Sequence, residues 1–283
     1  MEGQKQIWTE EIKSHDGLFS VNLREVWHYR DLLLMLLKRD FITFYKQTIL
    51  GPIWFFLQPL MSTAIYVFIF GRVAKISTDG APDIVFYLAG VTVWNYFSDS
   101  LTKTSTVFKD NASVFGKVYF PRLIMPLSIV FSALLKFGIQ FALLIVFVLY
   151  YTFVTEQIHP NAWILLTPVL VIMMAAFALG LGMIFSSLTT KYKDLTFLLT
   201  FGIQLFMYAT PVIYPLSTMP DRYRSILELN PLAGIFECFR YAYLGVGEFN
   251  PNSLIMSAGV IVVLLAVGII IFNKVEKSFM DTV

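Results

Sequence analysis

From Ser253 to Phe272 the chain runs without a single charge. A helix over that stretch rises about 30 Å, the thickness of a bilayer's hydrocarbon core, and water offers it no stable place. Five further stretches follow the same rule, at roughly 52–71, 84–101, 125–153, 163–188 and 196–214. Backbone polar groups at that depth must be bonded within their own segment, so each stretch is expected as a helix and the fold class as all-α. The third exceeds one upright crossing and holds Lys136, so it either tilts or lays its first turns beyond Pro126 at the interface.

Composition supports the same solvent. Hydrophobic residues make up 57% of the 283, charged residues 14%, and mean hydropathy is +0.69. A soluble domain carries about a quarter charged residues because its surface must be hydrated. A net charge of +2 is too small to mark a nucleic-acid partner. The single cysteine, Cys238, excludes an intrachain disulfide, and the scattered His15, His28 and His159 suggest no metal site. The first thirty residues are polar and lack an apolar core with a small-residue cleavage site, so insertion is expected to rest on the spans. The chain divides into a polar tail, 1–22, and one membrane unit, 23–283.

Orientation follows from Lys and Arg. Fifteen fall on the side of the termini, while Arg72, Lys75, Arg222, Arg224 and Arg240 fall on the other; Lys136 completes the 21. The richer side is cytoplasmic, and six spans place both termini there.

Before the first span, residues 23–47 are helical in pattern but too charged to cross. At 100° per residue, Val26, Trp27, Leu33, Leu34, Leu37, Phe41, Phe44 and Tyr45 share a face, opposite Arg24, His28, Asp31, Lys38, Arg39 and Lys46. Such a helix lies among lipid headgroups, its basic side toward anionic lipid or a cytosolic partner. It serves as an anchor or as a mechanical link to the first span. Between spans five and six, 217–245 holds two helices too short to cross. Met219-Pro220 opens the shorter one, which reaches about Leu229. Asn230 caps the second, Pro231 suits its first turn, Leu232, Ile235, Phe236, Phe239 and Tyr243 recur at helical spacing, and Gly245 ends it. This is an outer hairpin, either re-entrant or a packed cap.

Catalytic signatures are missing. There is no G-x-x-x-x-G-K-[ST] phosphate loop and no H-E-x-x-H or G-x-S-x-G, and the outer acids are dispersed. Within the spans Lys136 stands nearly alone, so the chain carries no proton relay. Aromatics are 16% of the chain, and two groups exceed an interfacial belt. Trp54, Phe55 and Phe56 stand near Gln58 and Pro59, with Tyr66 further along; Phe201, Phe206 and Tyr208 stand near Gln204 and Pro211. A glutamine in hydrocarbon needs a partner or water, so these faces are candidates for a wet path, with flat rings able to stack on sugar faces. Ala176, Ala178, Gly180 and Gly182 read instead as close helix packing.

Several stretches then carry a resemblance: Leu50-Gly51-Pro52-Ile53-Trp54 with Gln58-Pro59, Lys117-Val118-Tyr119-Phe120-Pro121-Arg122, Lys193-Asp194-Leu195, Thr210-Pro211-Val212-Ile213-Tyr214-Pro215, and Asn230-Pro231-Leu232 followed by Arg240. From about residue 24 to the C-terminus the chain resembles permeases of ABC polysaccharide exporters. It is most similar to the O-antigen type, with the teichoic acid type a close relative; exporters of small amphiphiles or drugs share the six-span plan. The resemblance implies a homodimer joined to two copies of a separate ATP-binding subunit, which would hold the ATP and Mg, so that this chain is no enzyme and binds no cofactor. It implies a channel lined by the first and fifth spans, hence Trp54, Phe56, Gln58, Tyr66, Phe201, Gln204, Phe206 and Tyr208. Coupling to the ATPase would involve Lys38, Arg39, Lys117, Tyr119, Phe120, Pro121 and Arg122. The outer gate would hold Asn230, Pro231, Phe236, Phe239 and Arg240. The cargo would be a lipid-linked polysaccharide crossing the bacterial inner membrane.

Overall fold

The computed structural model describes residues 23–46, 49–115, 120–192 and 194–280, which are helical without a strand among them. The entry segment is divided at Tyr29 into α1 (Leu23–His28) and α2 (Arg30–Lys46). A 3₁₀ turn, Gly51–Ile53, leads into α3 (Trp54–Tyr66), which continues as a π-helix over Val67–Val73. Next come α4 (Asp83–Thr104) and two single turns, α5 (Val107–Asp110) and α6 (Ala112–Phe115). The long α7 (Ile124–Phe153) returns, and a 3₁₀ turn, Ala162–Leu166, opens α8 (Thr167–Lys191). The rest are α9 (Leu195–Tyr208), the short α10 (Asp221–Leu227), α11 (Pro231–Leu244) and α12 (Pro251–Met280).

Among the described residues, four stretches are long and apolar enough to cross a membrane: Gly51–Val73, Ile124–Phe153, Ala162–Lys191 and Pro251–Val275. The other two expected spans differ in instructive ways. α4 has the length, 22 residues, but too little apolar character, because fifteen of its residues are buried against other helices rather than against lipid. α9 is apolar but has only 14 residues, about 21 Å. The expected fifth span therefore ends early as a helix, and 209–216 continues as a mostly buried irregular segment.

Close backbone approach builds the bundle. A Cβ on Gly180 would lie 2.8 Å from the Leu265 nitrogen, and one on Gly268 only 2.5 Å from the Gly180 carbonyl oxygen, so α8 and α12 touch backbone to backbone. A Cβ on Gly182 would meet Thr104 on α4 at 2.6 Å. The small residues of α8 thus let one helix pack on two neighbours at once. A second hydrophobic cluster joins Leu36 of α2, Phe108, Phe115, Phe120, Ile124 and Phe272 of α12, with the Phe108 and Phe272 rings stacked at 4.6 Å. The N-terminal helices and the end of α12 therefore share one end of the bundle.

The apolar residues of α1 and α2 divide between a face packed on this cluster and a face left exposed. Leu36 is its buried residue, with Val26, Tyr29, Leu32 and Leu33 packed on the same cluster, whereas Trp27 and Leu34 are exposed. The seated ridge is turned by about 100° from the one periodicity suggested. Tertiary contact with the second cluster sets it; counting apolar residues weights every one equally.

Candidate functional site

Helical geometry sorts the path residues. On α3, Trp54, Gln58, Met61 and Ile65 recur at four- and three-residue intervals and are all exposed, forming one stripe that runs on to Phe68. On α9, Phe197, Phe201, Gln204 and Tyr208 do the same. Each glutamine lies within an aromatic and aliphatic stripe that is exposed among the described residues. Phe56, two residues from Gln58, projects about 200° away and belongs to another face. Tyr66 and Phe206 turn inward. The Tyr66 hydroxyl donates to Met207 Sδ at 3.5 Å, bringing α3 and α9 together, and Phe206 packs on Trp94 and Phe97 of α4.

At the end shared by α2 and the Phe272 region of α12, Lys38 and Arg39 are exposed, and Arg39 donates to the Asp40 carboxylate at 2.8 Å. Phe120 is buried, and the buried Arg122 guanidinium lies 5.5 Å from the centre of the Phe115 ring. Pro121 is half-buried. These side chains point into the second cluster, so their placement suits holding the turn in shape. Lys117 and Tyr119 lie outside the described residues.

At the opposite end, the hairpin forms on the signals read from sequence. Asn230 accepts from the Leu232 N–H at 3.0 Å while its amide donates to the Ala209 carbonyl and the Thr210 hydroxyl; Pro231 opens α11, and Gly245 ends it at φ 71°. Twelve of the 14 residues of α11 are buried, Phe236 and Phe239 among them. Arg240 is the centre of this region. Its guanidinium lies 3.9 Å from the centre of the Phe86 ring and donates to the Tyr214 carbonyl at 3.2 Å and to the Val212 carbonyl. Glu237 stands 3.7 Å away and accepts from the Leu216 N–H. Burial pulls Arg240 down to about 10 against the attraction of Glu237, and burial raises Glu237. This arginine closes the irregular segment after α9, supplying donors to carbonyls that no helix satisfies.

α10 is the contrasting member. Tyr223, Ile226 and Leu229 are exposed, and Arg224 bridges Glu228 at 3.0 Å and Glu248 at 2.7 Å. Sequence reading treated the outer acids as dispersed; three of them are paired with arginines. It also left Lys136 nearly alone, and this is corrected: Lys136 bonds Asp99 of α4 at 2.6 Å. The available signal was that a lysine within a span requires a partner, and Asp99 lies in the neighbouring span.

Among the described residues, four helices are long and apolar enough to cross a membrane, two exposed glutamine-aromatic stripes lie on α3 and α9, and a structured helical hairpin closes one end, the features of a multi-pass membrane protein. The chain belongs to the ABC-2 type transporter family, whose model matches residues 31–244. It is 31% identical over 252 residues to the O-antigen export system permease protein RfbA of Klebsiella pneumoniae, covering 89% of this chain and 94% of that one. It is 29% identical over 263 residues to the RfbA permease of Myxococcus xanthus, covering 92% and 98%. The polysialic acid transport protein KpsM of Escherichia coli is 25% identical over 247 residues, covering 86% and 93%.

Proposed function

We propose that this chain is the channel-forming subunit of an ATP-driven exporter that moves a lipid-linked, O-antigen-like polysaccharide outward across the bacterial inner membrane. It works as a homodimer with two separate ATP-binding subunits, which hold the nucleotide and its magnesium. Six segments cross, with both termini cytoplasmic: α4 crosses inside the bundle, and α9 crosses with the help of the Arg240-bonded segment. The observation that carries the path is the pair of stripes on α3 and α9, where an amide facing lipid would cost several kcal/mol and one facing water costs little. When two copies bring these stripes together, they enclose a path that offers rings to sugar faces and amides to hydroxyls. Lys38 and Arg39 present α2 to the ATPase; Arg122 and Phe120 hold the coupling turn. On the outer side, α11 is the fixed wall and α10 the moving element, released when Arg224 leaves Glu248.

The test is cysteine substitution in a Cys238→Ser background, with the partner subunit present. Positions 54, 58, 61 and 65, and 197, 201, 204 and 208, are expected to react with a polar thiol reagent, and occupancy by polymer to slow them. Silence of both stripes in every nucleotide state would remove the channel. Protection by a small amphiphile but not by polymer would move the cargo to the smaller class.

A further inference from the structure

At the hairpin end of the bundle three rings meet. Trp163, in the 3₁₀ turn that opens α8, lies 4.4 Å from Phe249 between ring centres, and Phe249 lies 6.0 Å from Tyr241 of α11, nearly parallel to it. Asn161 sets this arrangement. Its backbone N–H donates to the Ala242 carbonyl at 3.0 Å, its amide to the Tyr241 carbonyl at 2.8 Å, and its side-chain oxygen accepts from the Trp163 N–H at 3.1 Å. Both carbonyls belong to the last turn of α11, where helical donors run out, so the helix end itself holds Trp163 in place. The rings are not enclosed: Trp163 is 41% exposed, and Tyr241 and Phe249 are half-buried. The Trp163 indole N–H and the Tyr241 hydroxyl form no hydrogen bond among the described residues. An apolar body with an open polar tip suits a boundary between hydrocarbon and water.

We infer that Trp163, Tyr241 and Phe249 form a lipid anchor, seated at headgroup level in the leaflet at the hairpin end of the bundle. Two helix lengths and one apolar surface identify what covers the rings. The stretch that Trp163 heads, Ala162–Lys191, has 30 residues and is about 45 Å long, against about 40–45 Å for a bilayer with its headgroups. Its far end carries Lys191, whose ammonium lies 5.3 Å from the centre of the Tyr192 ring, a basic-aromatic pair suited to the other interface. With that pair at one headgroup layer, Trp163 falls at the opposite one. Pro251–Val275 gives the same level independently. Its 25 residues, about 37 Å, cover the hydrocarbon and part of each interface, and Phe249 stands just before Pro251. The surface that continues from the rings is apolar. Leu165, Val169 and Ile172 are 84%, 47% and 66% exposed beyond Trp163, and Ile255 is 70% exposed beyond Phe249, so the rings cap two faces open to acyl chains. The anchor has a mechanical consequence. Glu248, beside Phe249, holds Arg224 of α10 at 2.7 Å, so the turn between α11 and α12 is tethered to lipid on one side and to the hairpin on the other. The inference rests on membrane embedding and holds for any cargo.

The experiment is fluorescence quenching of the full chain in phosphatidylcholine vesicles that carry a spin label on the headgroup, high on the acyl chain, or at the bilayer centre. The Trp163 signal is the difference between the unaltered chain and Trp163→Phe, a change that keeps a ring at an exposed position. That signal is expected to be quenched by the two shallow labels about threefold more strongly than by the central one, and only weakly by aqueous iodide. A nitroxide on Trp163→Cys, in a Cys238→Ser background, measures the depth without the difference spectrum and is expected about 5–10 Å inside the phosphate level. Strongest quenching at the bilayer centre overturns the anchor, as does quenching by iodide with none from any lipid label. Protection of Trp163 from iodide by a soluble oligosaccharide would also overturn it and give the rings to a sugar.

Discussion

α4 and α12 both have the length to cross a bilayer, and they meet it from opposite sides. α12 is charge-free through Phe272 and turns Ile255, Val262, Val263 and Val267 outward, with only 17% of its most apolar window buried. α4 buries fifteen of 22 residues, carries Asn95, Asp99 and five buried hydroxyl residues, and touches α3, α7, α8 and α11. Hydropathy reports contact with lipid, and a helix enclosed by other helices is released from that requirement. Among the expected spans, α4 is the least apolar of the long helices and the most enclosed by its neighbours.

Glycine substitution separates the two most sharply. A Cβ on Gly90 of α4 would stand 2.4 Å from the Val212 carbonyl oxygen, a backbone atom, and 3.1 Å from Arg240 Nη2; one on Gly259 of α12 would meet nothing within 4 Å. Gly90→Leu is expected to cost more than about 3 kcal/mol and to leave little folded protein, and Gly259→Leu to stay within about 0.5 kcal/mol. Monodispersity and thermal melting of the two variants measure the difference; equal behaviour would dissolve the contrast.

Charge gives a smaller effect. Asp99→Leu leaves Lys136 without its carboxylate and is expected to cost about 2–4 kcal/mol, reduced from the fully buried case by the partial exposure of Asp99. Asp99→Leu with Lys136→Leu should recover most of the loss, because no lone charge remains. Thermal unfolding in one detergent across the cycle reads this, and a double variant no better than the single would mean the pair is not the cause.

The smallest effect sharpens the comparison at one residue type. Val93 on α4 is fully buried and Val263 on α12 is 61% exposed. Val93→Ala is expected to cost about 1–2 kcal/mol in lost packing, and Val263→Ala under about 0.5 kcal/mol, since lipid chains fill the space left by a methyl group. Similar losses at both would place α12 in a protein interface.

How much of this was legible depended on where the cause of each feature lay. The second helix of the hairpin was readable to the residue, because Asn230, Pro231 and Gly245 act on their own backbone, and α11 begins and ends where they stand. The glutamine-aromatic stripes were half legible. The residue types were visible, and spacing alone sets Phe56 and Phe206 about 200° from Gln58 and Gln204; what spacing did not show is that the Phe206 ring packs on α4 while Phe56 stays exposed. That Lys136 needs a partner was readable, but the bond that Asp99 makes to it and the Asp40–Ser132 bond were not, since each joins segments far apart in the chain.

By itself the sequence determined the solvent, the helical class and the local starts and stops, since these follow from the apolar length of each segment and from capping groups within a few residues of their targets. Only the tertiary structure decided which helix is enclosed, where α9 ends, and which face of α2 is seated. Those outcomes depend on neighbours: Arg240 reaches from α11 to carbonyls 26 and 28 residues earlier, and no count along the chain reveals that a cation will satisfy them.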